Sequence, residues 1–342
     1  MEPTGRFELP ASGLRNRCST TELRRLGKTG TRRTSPSGPL SQLREDPPPS
    51  APRRPSGMTA EALTRFAETG GFEVALDAEG PPPDDPLLRL YGGPLRVRLG
   101  TPRLVANFVA TADGVTAFGE GGGEGAMAVS LHSPADRFLM ALLRCAADCV
   151  LIGAGTLRDD LHHQWTPSTP MPDLAEELAA HRRRLTGADG PPPLAVVSGS
   201  GTLPAAHPAL RHPEGDVLVI TTEDGAAHLP RMHPRVAVAV VGRTGEISAG
   251  AAVEAVRTHL AAVTILCEGG PLLFGQLLAG GCVDELFLTV APQLAGRSGQ
   301  APRPGLVAGT AFVPGEAPRL GLRSLRRSGD HLFLRYAVTR RA

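Results

Sequence analysis

The sequence is poor in aromatic residues and has no long apolar run. Aromatic residues make up 4% of the 342 residues, whereas hydrophobic residues make up 41%. A sizeable core is therefore possible, but Leu, Val, Ala and Ile have to fill it. No apolar run reaches the roughly 18 residues that a membrane-spanning helix needs, and the amino terminus lacks a signal-peptide core. These absences predict a cytoplasmic protein with no membrane partner.

The cysteines and histidines show no spacing that is typical of a metal or disulfide site. No C-x-x-C pair occurs among the five cysteines, which are Cys18, Cys145, Cys149, Cys267 and Cys282. Small buried thiols in a reducing compartment explain this pattern best. H-E-x-x-H is absent, and the adjacent His162 and His163 have no obvious third ligand. We therefore predict no metal site.

Lysine is almost absent, and the single Lys28 lies in an amino-terminal segment unlike the rest. Residues 1–57 are rich in Arg, Ser, Pro and Gly, and their net charge of +6 leaves −4 for the remainder of a chain whose total is +2. Such a composition predicts disorder, and the slightly acidic remainder gives no reason to expect a nucleic-acid partner. A basic nucleic-acid tail is the alternative for this segment. Residues 5–25 resemble the product of a mistranslated transfer-RNA gene, which predicts that synthesis begins at Met58.

The remaining chain divides into a lead-in segment, residues 58–102, and an α/β domain, residues 103–340. Apolar runs in the domain predict strands at 104–110, 149–152, 194–197, 217–221, 236–241, 263–267 and 285–290. Helices are predicted between them at 134–147, 174–185, 251–260 and 271–279. This alternation indicates a mostly parallel sheet with right-handed crossovers. Residues 320–325 and 331–338 flank a Ser-Gly-Asp turn and predict a carboxyl-terminal antiparallel hairpin.

Two predicted strands end in glycine turns that lead directly into helices. One turn lies in residues 149–160 (CVLIGAGTLRDD) and the other in residues 263–275 (VTILCEGGPLLFG). Glycine lets backbone N–H groups approach a phosphate, and a helix amino terminus favours its negative charge. Glu268 lies at the mouth of the second turn. Neither turn is a G-x-G-x-x-G fingerprint, since Arg158 occupies the place of the third glycine, and plain strand-to-helix turns are the alternative.

A third strand ends in polar residues. Residues 104–115 (LVANFVATADGV) predict that Asn107, Thr111 and Asp113 lie near the end of this strand. The sequence SPADR then predicts a helix with Ser133 as its N-cap, closed by Asp136 in a capping-box-like pair. Arg144 falls near the last turn of that helix. It is placed either to reach an anionic ligand or to stabilise the helix dipole.

Five ordered motifs together resemble the reductase domain of the riboflavin-pathway deaminase-reductase, the RibD C-terminal family. They are NFVATADG (107–114), SPADR (133–137), LIGAGTLRDD (151–160), CEGGPLLFG (267–275) and VDELFLTVAPQLAGR (283–297). The GAM loop (125–127) most resembles stand-alone actinobacterial pyrimidine reductases. The resemblance implies a dihydrofolate-reductase-like α/β fold, in which helices flank a mostly parallel sheet with a C-terminal antiparallel hairpin.

The resemblance also implies an enzyme that uses NADPH to reduce the ribose of a ribosylaminopyrimidine phosphate, with a homodimer as the assembly. Asp113 and Glu268 are then the catalytic candidates, as proton handlers or as hydrogen-bond anchors for substrate hydroxyls. Substrate contacts are expected from Asn107, Met127 and Arg144, the last as a phosphate partner. Cofactor contacts are expected from Val109, Thr111, Gly153, Gly155, Thr156, Asp160, Ser198, Gly269, Gly270, Pro271, Leu272 and Leu273.

The chain departs from the family pattern at two places. Residues 128–130 (AVS) replace a Ser/Gln/Trp stretch, and His162, His163, Gln164 and Trp165 stand near the place of a substrate-binding arginine. These departures leave the natural substrate open. A dihydrofolate or pterin reductase is one alternative on the same fold, and a non-catalytic nucleotide-binding protein is the other.

Overall fold

The structure is a computed structural model, which describes residues 58–77, 80, 83–97, 100–119, 125–211, 213–299 and 303–339. These residues all belong to one unit of the chain, Arg54–Ala342. The predictions for residues 1–57 lie outside the described residues.

Ten strands of the described residues form one mixed sheet in the order β1-β9-β10-β8-β2-β7-β3-β4-β5-β6. The seven strands from β8 to β6 run parallel to one another, whereas β10 pairs antiparallel with β8 and β9, and β1 pairs antiparallel with β9. The strand bounds are Glu73–Asp77 (β1), Arg103–Thr111 (β2), Cys149–Gly153 (β3), Leu194–Val197 (β4), Val217–Thr221 (β5), Val236–Val240 (β6), Thr264–Cys267 (β7), Glu285–Ala291 (β8), Arg319–Ser328 (β9) and His331–Thr339 (β10). The predicted parallel sheet and antiparallel hairpin are confirmed.

Helices cover both faces of the sheet. Their bounds are Met58–Gly70 (α1), Pro86–Tyr91 (α2), Gly125–Val129 (α3), Pro134–Ala146 (α4), Ala154–Asp159 (α5), Ala175–Thr186 (α6), Pro208–Arg211 (α7), Glu223–Ala226 (α8), Ala249–Leu260 (α9) and Pro271–Ala279 (α10). One core packs α1, α2, α4 and α6 against the sheet, and a second core packs α9 and α10 against its other face. In the described part of the chain, no helix combines the length and apolar character needed to cross a membrane.

The lead-in segment shares the first core. Leu87 and Tyr91 of α2 are each 2% exposed, and the rings of Phe66 and Phe138 lie 4.3 Å apart. Asp85 caps α2 through the N–H groups of Leu87 and Leu88. Residues 58–97 therefore contribute apolar area to the same core as the helices of the α/β domain.

Three elements differ from the prediction. The apolar run at 236–240 forms the sheet edge rather than a strand covered on both faces, so Val238 and Val240 are exposed. The GAM residues begin helix α3 instead of a loop. Strand β1 was not predicted, because EVALD has one partner, β9, and most of its residues are exposed. For β6 and β1, the position of the strand in the sheet decides the outcome, not local preference.

Helix α4 is held at both ends. Ser133 accepts a hydrogen bond from the N–H of Asp136 at its start. At its end, the buried Arg182 of α6 donates to the carbonyls of Cys145 (3.0 Å) and Ala147 (2.6 Å), and also to that of Gly190 (2.8 Å). The last carbonyls of a helix have no partner within the helix, so Arg182 satisfies groups that are otherwise buried without one.

Replacing Arg182 by Ala should lower the free energy of unfolding by about 2–4 kcal/mol, because buried carbonyls that lose their donor cost about 1–3 kcal/mol each. Urea unfolding followed by circular dichroism measures the change. Arg183→Ala is the matched control, since its neighbouring guanidinium forms an exposed ion pair with Asp189 and should change stability by less than about 1 kcal/mol. Equal effects of the two variants would contradict this account of α4.

Candidate active site

The two glycine turns lie side by side at the carboxyl edge of the sheet. Strands β3 and β7 are neighbours, so the turns that follow them leave the same edge. A Cβ built on Gly269 would lie 2.4 Å from Cα of Ile152 and 2.7 Å from N of Gly153. These are backbone atoms that cannot move aside, and only glycine permits this approach. A Cβ on Gly270, where φ is +55°, would lie 3.3 Å from Oγ1 of Thr156.

Both turns open into helices that have no side-chain cap. The N-cap residues are Gly153 for α5 and Gly270 for α10, and neither can supply a capping side chain. The first N–H groups of the two helices therefore lack a side-chain acceptor. Two such ends next to one another form a place where an anion is stabilised.

The other predicted residues of these turns are placed as follows. An added Cβ at Gly155 would meet no atom within 4 Å, so the space beside it is open. Pro271 occupies the first turn of α10. Leu272 is 64% exposed, whereas the side chain of Leu273 is buried in the second core. Leu273 can therefore offer a ligand its backbone but not its side chain.

Ser198 follows β4 at the same edge and is 4% exposed. Its hydroxyl has no hydrogen-bond partner among the described residues, while its carbonyl accepts from the Thr221 hydroxyl at 2.7 Å. A buried hydroxyl without a partner is costly, so this atom fits a contact with a bound group.

Arg144 and Glu268 form a buried, bidentate ion pair. Nε of Arg144 lies 3.0 Å from Oε1 of Glu268 and 3.2 Å from Oε2, and Nη2 lies 2.6 Å from Oε2. The side chains are 1% and 6% exposed. The N–H of Glu268 donates to the carbonyl of Leu151 at 3.1 Å, so the pair connects α4 to the β3–β7 junction. Charge-assisted bidentate contacts of this kind fix the relative orientation of the two side chains and are stronger than neutral hydrogen bonds.

The guanidinium of Arg144 has two further partners. Nη1 donates to the carbonyl of Thr166 at 3.0 Å, and Nη2 lies 2.9 Å from Nε2 of His163. Burial, followed by the charges of Arg144 and His207, lowers the pKa of His163 to about 3. His163 is therefore neutral and accepts from Arg144. Nothing in this arrangement leaves the guanidinium facing solvent to bind a phosphate.

Asp160 lies beside this network. Its Oδ2 is 3.6 Å from Nδ1 of His163 and its side chain is 46% exposed. Burial raises its pKa, and the charges of His207 and Arg144 oppose that effect. The structure thus places this predicted cofactor residue beside His163, at the end of α5.

Asp113 and Thr111 join the end of β2 to the loop after β8. The Asp113 carboxylate accepts from the Thr111 hydroxyl and from the N–H groups of Ala295 (3.0 Å) and Gly296 (2.7 Å). These hydrogen bonds hold its pKa well below the ordinary value. Thr111 Oγ1 also accepts from the N–H of Val115. Both side chains therefore fix a loop, and a proton-transfer role for Asp113 remains a prediction.

Asn107 and Val109 lie on the face of β2 that points toward α4. Asn107 is 9% exposed and pairs in register with Phe287, and Val109 packs with Val129 of α3. Met127 is on α3 and is 45% exposed. The predicted substrate residues therefore lie along one side of the sheet, near its carboxyl edge.

Asp136 lies in the first turn of α4 and is buried. Its carboxyl does not close a capping box, because the N–H of Ser133 donates to the carbonyl of Ser130 instead. Burial raises the pKa of Asp136 to about 6, and the nearby hydroxyls of Thr289 and Ser130 offset part of that effect. The sequence does mark Thr289, because it is the one polar uncharged residue in the otherwise mostly apolar strand ELFLTVA.

The described cysteines are all free. Cys145, Cys149 and Cys267 are buried free thiols and Cys282 is partly buried, as the sequence predicts. Within the described ranges, no group of three or more His, Cys, Asp or Glu side chains is arranged to hold a metal ion.

A mostly parallel sheet with two glycine turns in contact at its carboxyl edge defines an α/β class in which ligands typically bind at that edge. The chain belongs to the RibD C-terminal domain family, whose model matches residues 102–334. It is 28% identical over 214 residues to the riboflavin biosynthesis protein RibD of Mycobacterium tuberculosis, which covers 61% of this chain and 49% of that protein. The chain thus spans about half the length of the curated relatives it matches.

Two solved structures share the fold. A pyrimidine reductase-like protein from Corynebacterium diphtheriae is 24% identical, with 70% of this chain and 93% of that chain covered and a TM-score of 0.52. A diaminohydroxyphosphoribosylaminopyrimidine deaminase/5-amino-6-(5-phosphoribosylamino)uracil reductase from Thermotoga maritima is 17% identical, with 70% and 57% covered and a TM-score of 0.51. The predicted family and fold class are confirmed.

Gly269→Ala should lower the free energy of unfolding by about 1–3 kcal/mol, because the new methyl group overlaps the backbone of the adjacent turn. Gly250→Ala is the control. Gly250 lies in α9 with no atom near an added Cβ, and the change should be neutral or stabilise by up to about 1 kcal/mol. Urea unfolding compares the two, and an undiminished stability of Gly269→Ala would show that the turns are not in contact.

Proposed function

We propose that this chain is an NADPH-dependent reductase of riboflavin biosynthesis that converts the ribosyl group of 5-amino-6-(5-phosphoribosylamino)uracil into a ribityl chain. Family membership supports the reaction class. The observation that carries the proposal is the contact of the two glycine turns at Gly269, next to the buried pair of Arg144 and Glu268.

The residues present fit a reduced nicotinamide dinucleotide. The uncapped helix starts at Gly153 and Gly270 would hold its phosphates, and the unpartnered hydroxyl of Ser198 would contact it farther along the edge. When bound, NADPH supplies a hydride. The preference for NADPH over NADH rests on the family resemblance.

The chain's own residues chiefly position the substrate. Glu268 is held in one orientation by Arg144, so its carboxylate can anchor substrate hydroxyls without reorganising. Arg144 acts through Glu268 rather than by binding the substrate phosphate, since its side chain is only 1% exposed and is bonded to Glu268, Thr166 and His163. His163 stays neutral and completes this arrangement. Asn107 and Met127 remain proposed substrate contacts.

The family resemblance also supports a homodimer and a small-molecule substrate as the partners of this chain. Sedimentation equilibrium would test the assembly, and a monomer at micromolar concentration would contradict it.

NADPH oxidation tests the proposed reaction. Oxidation should occur with 5-amino-6-(5-phosphoribosylamino)uracil and not with dihydrofolate. Oxidation with dihydrofolate alone would reassign the chain to the folate-type alternative. No oxidation with either compound, together with no saturable NADPH binding, would contradict an enzymatic role.

Glu268→Gln should lower turnover by about 100-fold or more while the affinity for NADPH stays nearly unchanged, as fluorescence titration can show. The variant also leaves Arg144 buried and unpaired, which costs about 3–5 kcal/mol of stability. A double variant, Arg144→Met with Glu268→Gln, separates the two effects. It should recover the stability but not the turnover, and recovery of both would assign Glu268 a purely structural role.

A further inference from the structure

The segment that follows α5 brings three aromatic rings together beside Arg144. The ring centroids of His163 and Trp165 lie 5.0 Å apart at an interplanar angle of 72°, and those of Trp165 and His207 lie 5.8 Å apart at 28°. Trp165 and His207 are buried. His163 and Trp165 lie where the sequence departs from the family pattern, so the resemblance gives them no role.

His207 holds the backbone from which His163 extends. Nδ1 of His207 accepts from the N–H of Ala209 at 3.1 Å, so Nε2 carries the proton and donates to the carbonyl of Asp160 at 2.8 Å. The N–H of His163 donates to the same carbonyl at 3.4 Å. These two donors fix the turn at Asp160, and the contact with Trp165 fixes the ring of His163.

The two ring nitrogens of His163 have different partners. Nε2 lies 2.9 Å from Nη2 of Arg144. Because a guanidinium only donates, Nε2 is the acceptor, and a neutral imidazole then carries its proton on Nδ1. Nδ1 faces Oδ2 of Asp160 at 3.6 Å. His163 therefore presents a neutral acceptor to Arg144, in agreement with the lowering of its pKa by burial and by the charge of Arg144.

Nη2 of Arg144 is shared between His163 and Glu268. It lies 2.6 Å from Oε2 of Glu268 and 2.9 Å from Nε2 of His163, so each of its two N–H groups has an acceptor. Nη1 donates to the carbonyl of Thr166 at 3.0 Å. The segment from His163 to Thr166 thus fixes the rotation of the guanidinium. Since the bidentate contact fixes the relative orientation of the two side chains, the direction of the Glu268 carboxylate depends on these acceptors.

We propose that His163 is a positioning residue for Glu268 and acts through Arg144. This inference rests on the proposed function, in which Glu268 anchors substrate hydroxyls. His163 neither binds the substrate nor transfers a proton. It supplies the acceptor that keeps Arg144, and with it the Glu268 carboxylate, in one orientation. A displacement of about 1 Å at a positioning group can lower a rate by about 100-fold.

The first test needs neither substrate nor cofactor. His163→Phe keeps an aromatic ring against Trp165 but removes the acceptor. It should lower the urea midpoint of unfolding of the otherwise wild-type protein. It should not lower the midpoint of the Arg144→Met, Glu268→Gln double variant, in which no guanidinium requires an acceptor. An equal loss in both backgrounds would show that the ring of His163 serves packing alone and would overturn the proposal.

The second test measures NADPH oxidation with 5-amino-6-(5-phosphoribosylamino)uracil. His163→Phe should lower turnover by about 10- to 100-fold, while the affinity for NADPH from fluorescence titration stays unchanged. His163→Gln, which keeps a neutral acceptor, should recover most of the rate. In the Glu268→Gln variant, His163→Phe should cause no further loss, because no carboxylate remains to be positioned. His259→Phe, at an exposed position of α9, is the matched control and should keep the wild-type rate.

The outcomes separate this role from the proposed function. Wild-type turnover in His163→Phe would overturn the role of His163 alone. The same is true if His163→Phe lowers turnover as much in the Glu268→Gln variant as in the wild-type protein, because His163 would then act independently of Glu268. No turnover by the wild-type protein would overturn the proposed function and this inference together.

Discussion

The bidentate ion pair between Arg144 and Glu268 joins the parts of the molecule that form the site. Arg144 belongs to α4, and Glu268 begins the turn between β7 and α10. A buried charge is tolerated when a partner and further hydrogen bonds compensate for the lost solvent, and here Thr166 and His163 supply those bonds. The helix that covers one face of the sheet is therefore fixed relative to the turn at its carboxyl edge.

A second constraint is the contact between the two glycine turns. Neighbouring parallel strands bring the turns to one edge, but the absence of a side chain at Gly269 determines how closely they approach. Two helix starts without capping side chains then lie together. The first N–H groups of these helices cost free energy when they have no hydrogen-bond acceptor. The two turns therefore suit an anionic ligand.

The site also shows how similar side chains acquire different chemistry. Asp113 accepts three hydrogen bonds that favour its ionised form, Glu268 is paired with a guanidinium, and Asp136 is buried next to hydroxyl groups. Each carboxyl has a different environment, although all three are near the same edge of the sheet. The environment, not the residue type, therefore gives each carboxyl its own hydrogen-bond and charge partners.

The sequence by itself determined the family, the alternation of strands and helices, and the positions of the glycine turns. These follow from periodicity and from residues such as Gly269 and Pro271, whose conformational roles are local. The tertiary structure decided that Arg144 is paired with Glu268 and that β6 is an exposed edge. Those outcomes depend on contacts between residues distant in the chain, as with the 124 positions that separate Arg144 from Glu268, and no local pattern encodes them.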